Sequence, residues 1–575
     1  MSLAERIWNK DQLNAITSFG GNILVSAAAG SGKTAVLVER VIRMLTDEQN
    51  TVDADRLLIV TFTRLAAAEM RSRINAELSR LVSENPKDSR LSRQLLLMER
   101  AHIGTIHSFC SEVVRENTSL LGLMPDPSIA DEDEAADLSF SALEDTVEKY
   151  YSEGSETFSR LSETLGGGRN DSGLSEAVIT LYGFISALPH YEDWLSEKLA
   201  LYNSSVPASK TIWAEILFKK ALMILRHHLS KAEFMAAECE KEFCEKYAAM
   251  FRDDVFVLER LIEVCEQKDW ERLGQMFASP GFSKKPTVKD ADEILKARVK
   301  TVRDEYCGSS GIIQKQLAEE FSVSEKEFSE DISAVSEYFK CLSEVTLEYD
   351  RRFKEIKREK RLIDYTDLEQ FTLSVLTEKD ENGIYVPSAV AKDIASRFDY
   401  ILIDECQDIN KVQDTIFRTI SNGDNLFFVG DVKQSIYRFR QAMPELFLEK
   451  RREWPVLGEE KNFPATIILG RNYRSRKNIA DAVNFIFKSI MSAEAAEIEY
   501  DESEMLIPEA VFPESDSVRN EFLLIESDRD TTKAEAEAVA EKIYQMVQSG
   551  KTVSEKGELR PIRYSYICIL FRAVK

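Results

Sequence analysis

The feature that most constrains this chain is a glycine-rich turn set between an apolar run and an amphipathic one. Residues 22–28 (NILVSAA) read as a short buried strand, and residues 35–45 (AVLVERVIRML) carry apolar side chains at helical spacing. Between them lies AAAGSGKT, Ala27 to Thr34. A strand, a tight turn and a helix start make a phosphate cradle. Glycines let the backbone approach closely, and N–H groups gather at the positive end of the helix. The pattern differs from the usual phosphate loop only in having Ala27 where the first glycine stands. The backbone of Ala29, Gly30, Ser31 and Gly32 is expected to surround phosphate oxygens. Lys33 should reach the β- and γ-phosphates, and the Thr34 hydroxyl should bind Mg²⁺.

More strand-like runs extend the pattern. Residues 57–62 (LLIVTF), 400–403 (YILI) and 426–429 (LFFV) are short and apolar, and the last two end in acidic loops. Such runs predict an α/β fold with a parallel sheet covered by helices. The two halves of the pattern are separated by a long stretch of helical periodicity. Its clearest part has Ile332, Phe339, Thr346 and Phe353 in one seven-residue row and Val335, Leu342, Tyr349 and Ile356 in another. A long helix packed inside a helical domain accounts for these rows better than a dimeric coiled coil. The expected organisation is a first motor domain in two parts, 1–125 and 361–464, interrupted by a helical insertion at 126–360. A second α/β domain is expected to start at 465–575, with strands at 521–526 and 564–571 around a helix at 534–547. A sheet ending there reads as unfinished.

Two further motifs carry chemistry. In ILIDECQD, Ile401 to Asp408, paired acids end an apolar strand. Asp404 is placed to hold Mg²⁺, usually through water, and Glu405 to orient or deprotonate an attacking water. In FFVGDVKQSIYRFRQA, Phe427 to Ala442, Gln434 is a neutral group able to sense a γ-phosphate. Tyr437, Phe439 and Arg440 interleave rings with a cation, as suits stacking on single-stranded bases. Some of these rings could equally be core.

Taken in order, these motifs resemble those of superfamily 1 DNA helicases of the UvrD/Rep/RecB group. Further segments share the resemblance. Gln12 in WNKDQLNAI resembles the glutamine that reads the adenine edge. TFTRLAAAEMRSRI, Thr61 to Ile74, resembles a DNA-facing segment, which implies DNA contacts for Phe62 and Arg64, although Arg64 and Leu65 stand where that family has Asn-Lys. GTIHSFC, Gly104 to Cys110, resembles the next such segment and implies a DNA contact for His107. LGRNYRSRKNI, Leu469 to Ile479, resembles the opening of the second motor domain, which implies that Tyr473 stacks on adenine and Arg474 is the arginine finger. The implied fold is a RecA-like P-loop motor with an all-helical insertion and a partial second RecA-like domain. Lys33, Glu405, Gln434 and Arg474 would be catalytic, with ATP bound in a cleft between the motor domains.

Within that group VGDVKQSIYRFRQAMPELF, Val429 to Phe447, and Arg476 after NYRS resemble the AddA-type chains of AddAB helicase–nucleases. That resemblance implies a DNA-end-processing enzyme of recombinational repair. It would act on single-stranded DNA and duplex ends, form a heterodimer with an AddB-type partner, and continue into a C-terminal nuclease. The later motor motifs and the nuclease residues are expected beyond Lys575, so the 575-residue chain alone is expected to hydrolyse ATP weakly or not at all and to lack nuclease activity. Alternatives are a stand-alone UvrD-like helicase and an inactive-motor DNA-binding scaffold. A generic P-loop kinase or GTPase does not explain the QD after DE or the GDxxQS segment.

Composition sets outer limits. The net charge of −25 excludes a basic nucleic-acid coat, but eleven acids against two bases at 126–160 and nine acids with no base at 491–516 hold −18 of it. The remainder leaves room for local cationic surfaces. One candidate is RRFKEIKREKR, Arg351 to Arg361, with seven cations and two acids; it is either a phosphate-contacting surface or the solvated end of a long helix. No apolar run is long enough for a membrane span. Eight scattered cysteines without a CxxC pair suggest reduced thiols in a cytoplasmic protein, and five histidines outside metal-ligand spacing argue against zinc.

Overall fold

The computed structural model describes residues 7–47, 52–166, 171–202, 206–288, 291–512, 519–526, 531–555 and 558–570. The chain divides into two units. One comprises residues 1–27 and 33–469, the other residues 28–32 and 470–575.

The first unit is organised by a six-stranded parallel sheet. Its strands are β1 (Ile23–Ala27), β2 (Leu57–Thr61), β3 (His102–Thr105), β4 (Tyr400–Ile403), β5 (Leu426–Gly430) and β6 (Ala465–Leu469), in the order β6-β1-β5-β4-β2-β3. Successive side chains of a strand point to opposite faces, so a sheet covered on both faces needs continuous apolar strands. Leu24, Leu58, Val60, Ile401, Ile403 and Phe428 pack into one core. Their neighbours Ile23, Val25, Ile59, Leu402, Phe427 and Val429 pack into the other. Helices α1 (Lys10–Thr17), α2 (Lys33–Thr46), α3 (Arg64–Glu84) and α4 (Ile106–Glu116) belong to this framework.

The helical insertion leaves and returns through a two-stranded parallel ribbon that pairs Ser128 with Leu362 and Ile129 with Ile363. It contains α5 (Glu132–Glu153), α6 (Ser172–Ile185), α7 (Ile212–Lys241), α8 (Glu245–Glu266) and α9 (Glu325–Glu359). One core gathers Phe218, Phe251, Trp270 and Phe277; a second gathers Leu138, Phe158, Val178, Val345, Tyr349 and Phe353. The heptad rows therefore lie on one long helix, α9, which a Ser324–Glu327 capping box starts. Its carboxyl half is buried within the chain's own insertion, whereas Val335 in the amino half is exposed. Beyond the ribbon follow α10 (Tyr365–Leu376), α11 (Lys411–Thr419) and α12 (Glu445–Glu453).

The second unit holds α13 (Lys477–Ile490), α14 (Thr531–Gln548), a two-residue parallel pair (Arg471–Asn472 with Ile507–Pro508) and a hairpin (Thr552–Glu555 with Glu558–Pro561). It differs from expectation in three places. Residues 465–469 are not the start of a second sheet but β6, the edge strand beside β1. Residues 521–526 form no strand, and Phe522 and Leu524 are exposed. Tyr564–Tyr566 is a 3₁₀ turn and 567–570 has no ladder; Phe571, the last residue of that expected strand, lies outside the described residues. An apolar run becomes a strand only where another strand satisfies its backbone, and among the described residues neither run has one. The helix expected at 534–547 lies within α14.

Candidate active site

Lys33, Asp404 and Gln434 follow the carboxyl ends of β1, β4 and β5, three adjacent strands, and the fold thus brings distant motifs to one edge. Ligands of open parallel sheets bind at that edge. Lys33 Nζ lies 3.0 Å from Glu405 Oε2, across 372 positions of sequence. Glu405 also accepts from Gln407 Nε2 at 3.0 Å, and the same amide reaches Asp408 Oδ2 at 3.0 Å. Gln407 Oε1 accepts the Asp431 N–H at 2.9 Å, and Asp431 Oδ2 accepts from Gln434 Nε2 at 2.7 Å. Lys433 Nζ closes on Asp431 Oδ1 at 2.9 Å. A continuous polar chain thus runs from Lys33 through Glu405, Gln407 and Asp431 to Gln434, three residues before Tyr437. Gly430 makes room for it, because a Cβ there would stand 2.4 Å from Gln407 Oε1.

The electrostatics are those of a site short of positive charge. Burial, reinforced by neighbouring Glu405 and opposed by Lys33, pushes the Asp404 carboxyl up to about 6. Burial likewise pushes Asp408 up to about 6. A groove of about 300 Å³ is lined by Thr34, Asp404, Glu405, Gln407, Asp408 and Gln434 on one side, and by Phe62, Thr63, Ala66, Glu69, Met70, Ile436 and Tyr437 on the other. Thr34 and Asp404 therefore offer a hydroxyl and a charge-hungry carboxylate to the same space. No cluster of three or more His, Cys, Asp or Glu suited to a metal occurs among the described residues. The pair fits Mg²⁺, which takes one or two protein ligands and completes its shell with phosphate oxygens and water.

Within the second unit, the turn residues meet the NYRS segment. Asn472 Nδ2 donates to the Ala29 carbonyl at 2.8 Å, and the Tyr473 N–H donates to the Gly30 carbonyl at 2.9 Å. Gly30 has φ +73°, and a Cβ there would stand 2.8 Å from Arg474 Cβ. Asn472 Oδ1 also accepts the Arg474 and Ser475 N–H groups. Tyr473 and Arg474 are exposed. Gln12 is 5% exposed, and its Oε1 accepts the Asn9 N–H in the capping box that starts α1. Its carbonyl is thus engaged in shaping a helix end.

The residues expected to face DNA separate into groups. Phe62 and Tyr437 stack with centroids 4.6 Å apart, Phe439 follows at 5.9 Å, and the Arg440 guanidinium lies 5.8 Å from both the Tyr437 and Phe439 rings. Phe439 is 75% exposed. Arg64 starts α3, exposed and without an ion-pair partner among the described residues. His107 stands apart from the Phe62 stack. Its Nε2 lies 2.9 Å from Glu369 Oε1, and its ring packs 4.7 Å from that of Tyr365. In the basic run, Arg351 pairs with Glu348 and Glu355, Arg352 with Asp145, Lys354 with Asp350, and Lys357 with Asp364 and Asp367. Arg358, Lys360 and Arg361 are exposed and have no such partner among the described residues.

Sequence reading missed Gln407, Asp431, Asn472 and Glu369 as site-building groups. Each is a polar residue beside a motif, and only the folded chain shows what it holds. No helix among the described residues is long and apolar enough to cross a membrane, and none of the eight cysteines is in a disulfide.

The chain's residues 8–455 match the model of the UvrD/REP helicase N-terminal domain. Among curated proteins it is similar to an ATP-dependent helicase/nuclease subunit from Ruminiclostridium cellulolyticum, 37% identical over all of this chain and 49% of that protein. Proteins of the same name from Acetivibrio thermocellus (40% identical, over 88% of this chain and 41% of that protein) and Clostridium acetobutylicum (36%, over 100% and 49%) are also similar. The chain spans about half the length of the curated relatives it matches.

Proposed function

This chain belongs to the UvrD/REP helicase family, and from that premise we propose that it is the motor-bearing part of an AddA-type helicase–nuclease chain. In this reading it uses ATP to move along single-stranded DNA. In the whole protein, with an AddB-type partner, it opens duplex ends for recombinational repair. The unpaired cysteines suit a cytoplasmic setting.

The observation that carries the reading is the Lys33–Glu405 contact at 3.0 Å and the polar chain that continues from it to Gln434. In this state Glu405 is held by Lys33. A nucleotide offers Lys33 stronger acceptors in its β- and γ-phosphates, which releases Glu405 to orient the attacking water and accept its proton. Thr34 and Asp404 would hold Mg²⁺, which supplies charge neutralisation at the phosphates. The Gln434 amide now donates to Asp431; a γ-phosphate oxygen competes for it, and the exchange is felt three residues on, where Tyr437 stacks on Phe62. Arg474 is the cation proposed to stabilise the transferred phosphoryl group, a role worth about 10³–10⁵ in rate. Gln12 and Tyr473 are proposed for adenine. Phe62, Arg64, His107, Tyr437, Phe439 and Arg440 are proposed for DNA.

Two variants test the reading. Lys33→Ala should weaken binding of a fluorescent ATP analogue by about ten-fold or more, consistent with loss of a charge-assisted contact. In the full-length enzyme it should abolish unwinding. Glu405→Gln should keep nucleotide affinity while removing turnover. Unchanged unwinding with Lys33→Ala, or preference for GTP over ATP, would overturn the assignment.

A further inference from the structure

We propose that Tyr365 and His107 form a second base-stacking platform for single-stranded DNA, with Arg358, Lys360 and Arg361 contacting the phosphates of the strand that lies on it. The proposal rests on the motor reading above and adds a site to it.

Tyr365 starts α10, directly after the ribbon by which the insertion returns, and its ring is 44% exposed. A large ring at that exposure is not part of a core. It is nevertheless fixed, because it packs on His107 with centroids 4.7 Å apart. His107 is fixed in turn by Glu369, a 5% exposed carboxylate that also accepts from Asn410 Nδ2 at 2.8 Å and Gln413 Nε2 at 2.6 Å. The result is a rigid, outward-facing pair of rings supported from beneath by a satisfied polar network. Aromatic platforms of this kind receive unpaired bases, since every base has a stacking face.

Its position suits a strand shared with the first ring cluster. Thr61 and Thr105 are register partners on the adjacent strands β2 and β3. Phe62 and His107 lie one and two residues beyond them, so both ring groups stand at the carboxyl edge of the sheet. The cations decide the occupant. The earlier part of the basic run is neutralised by its own acids, but Arg358, Lys360 and Arg361 are exposed without ion-pair partners among the described residues, four to seven positions before Tyr365. Glu359 is the only acid among them. Rings beside uncompensated cations fit a polyanion with exposed bases. A duplex, whose bases are already stacked on each other, cannot use the rings.

The test uses fluorescence anisotropy of a labelled oligo-dT with the purified chain. Tyr365→Ala should weaken binding about five- to ten-fold and Tyr365→Phe should restore it, as loss and return of one stacked base predict. Replacing Arg358, Lys360 and Arg361 together by Ala should make the salt slope shallower by about 2, since each single-strand phosphate contact contributes about 0.7. Oligo-dT carrying 5-iododeoxyuridine should photo-cross-link to Tyr365 in the unaltered chain, a readout that does not depend on a variant folding. Wild-type affinity in Tyr365→Ala together with weakened binding in Phe62→Ala would overturn this site and leave the motor reading standing. Failure of the unaltered chain to bind oligo-dT would overturn both. Equal affinity for a blunt duplex of the same length would overturn the single-strand assignment.

Discussion

Glu405 adopts φ 52° and ψ 42°, a left-handed conformation that costs a side-chain-bearing residue on the order of 1 kcal/mol or more. The neighbourhood that holds it there is polar, and it depends on a glycine one strand away. A methyl group on Gly430 would stand 2.4 Å from Gln407 Oε1 and 2.9 Å from Cys406 Sγ, and neither atom is the loose end of a flexible chain. Gly430→Ala is therefore expected to destabilise the chain by about 1–3 kcal/mol, the usual cost of overpacking. It should also detach Gln407 from the Asp431 N–H. Chemical denaturation reads the first effect and ATP turnover of the full-length enzyme the second; a variant with wild-type stability and turnover contradicts the argument. The residues of this site were legible in sequence where a motif has fixed local spacing, as with Gly30 to Thr34 or Asp404 and Glu405. Gln407 and Asp431 were not legible as partners, because 24 positions separate them and only the pairing of β4 with β5 brings them together.

At the scale of elements, the core strands were readable because a strand buried on both faces must be apolar throughout, as β1, β2 and β5 are. The same rule misled at 521–526, where an apolar run has no paired neighbour among the described residues. The heptad rows fixed α9 as a helix but did not show that only its carboxyl half is covered. Periodicity gives a face, and burial depends on what else reaches it. Inside the insertion, α7 buries His228, which is 5% exposed, with no hydrogen-bond partner for Nδ1 among the described residues. Burial, and secondarily the neighbouring His227, pushes its pKa down to about 4, against a weaker opposing effect of Glu305. The unfolded chain therefore binds a proton on this residue that the folded chain refuses between about pH 6.5 and 4. Stability contributed by the neutral ring is present above pH 6.5 and is lost as pH falls towards 4. His228→Leu should flatten that loss by on the order of 1–2 kcal/mol at pH 5 while changing little at pH 8. Melting temperatures of both proteins at the two pH values check it, and parallel pH curves would exclude His228 as the source.

Across the first unit as a whole, the charge that makes the chain acidic is concentrated in two stretches, and a few buried pairs tie its parts together. Lys357, 1% exposed near the end of α9, lies 2.7 Å from Asp364 and 2.6 Å from Asp367 at the start of α10. It thereby joins the insertion to the helix that returns to the sheet. Asp367 is itself 2% exposed; burial and the adjacent Asp364 push its carboxyl up to about 6 even with Lys357 opposing them. Removing the cation leaves a buried carboxylate uncompensated, so Lys357→Met should cost about 3–5 kcal/mol at pH 7. The sign of the pH response follows from the same pair. A carboxyl whose folded-state pKa is raised binds more protons folded than unfolded, so stability falls as pH rises through that window. The variant should therefore recover part of its loss as pH is lowered from 7 to 5, opposite in sign to the His228 effect. Adding Asp367→Asn should recover most of it at pH 7, because the amide leaves no charge to bury and can still accept the Asp364 N–H now bound at 3.0 Å. Urea denaturation of the single and double variants at pH 7 and pH 5 separates the alternatives. Recovery by the second substitution identifies the unpaired carboxylate as the cause, whereas equal losses in both variants would trace the coupling of insertion and sheet to the packing of the lysine stem against Phe353 instead.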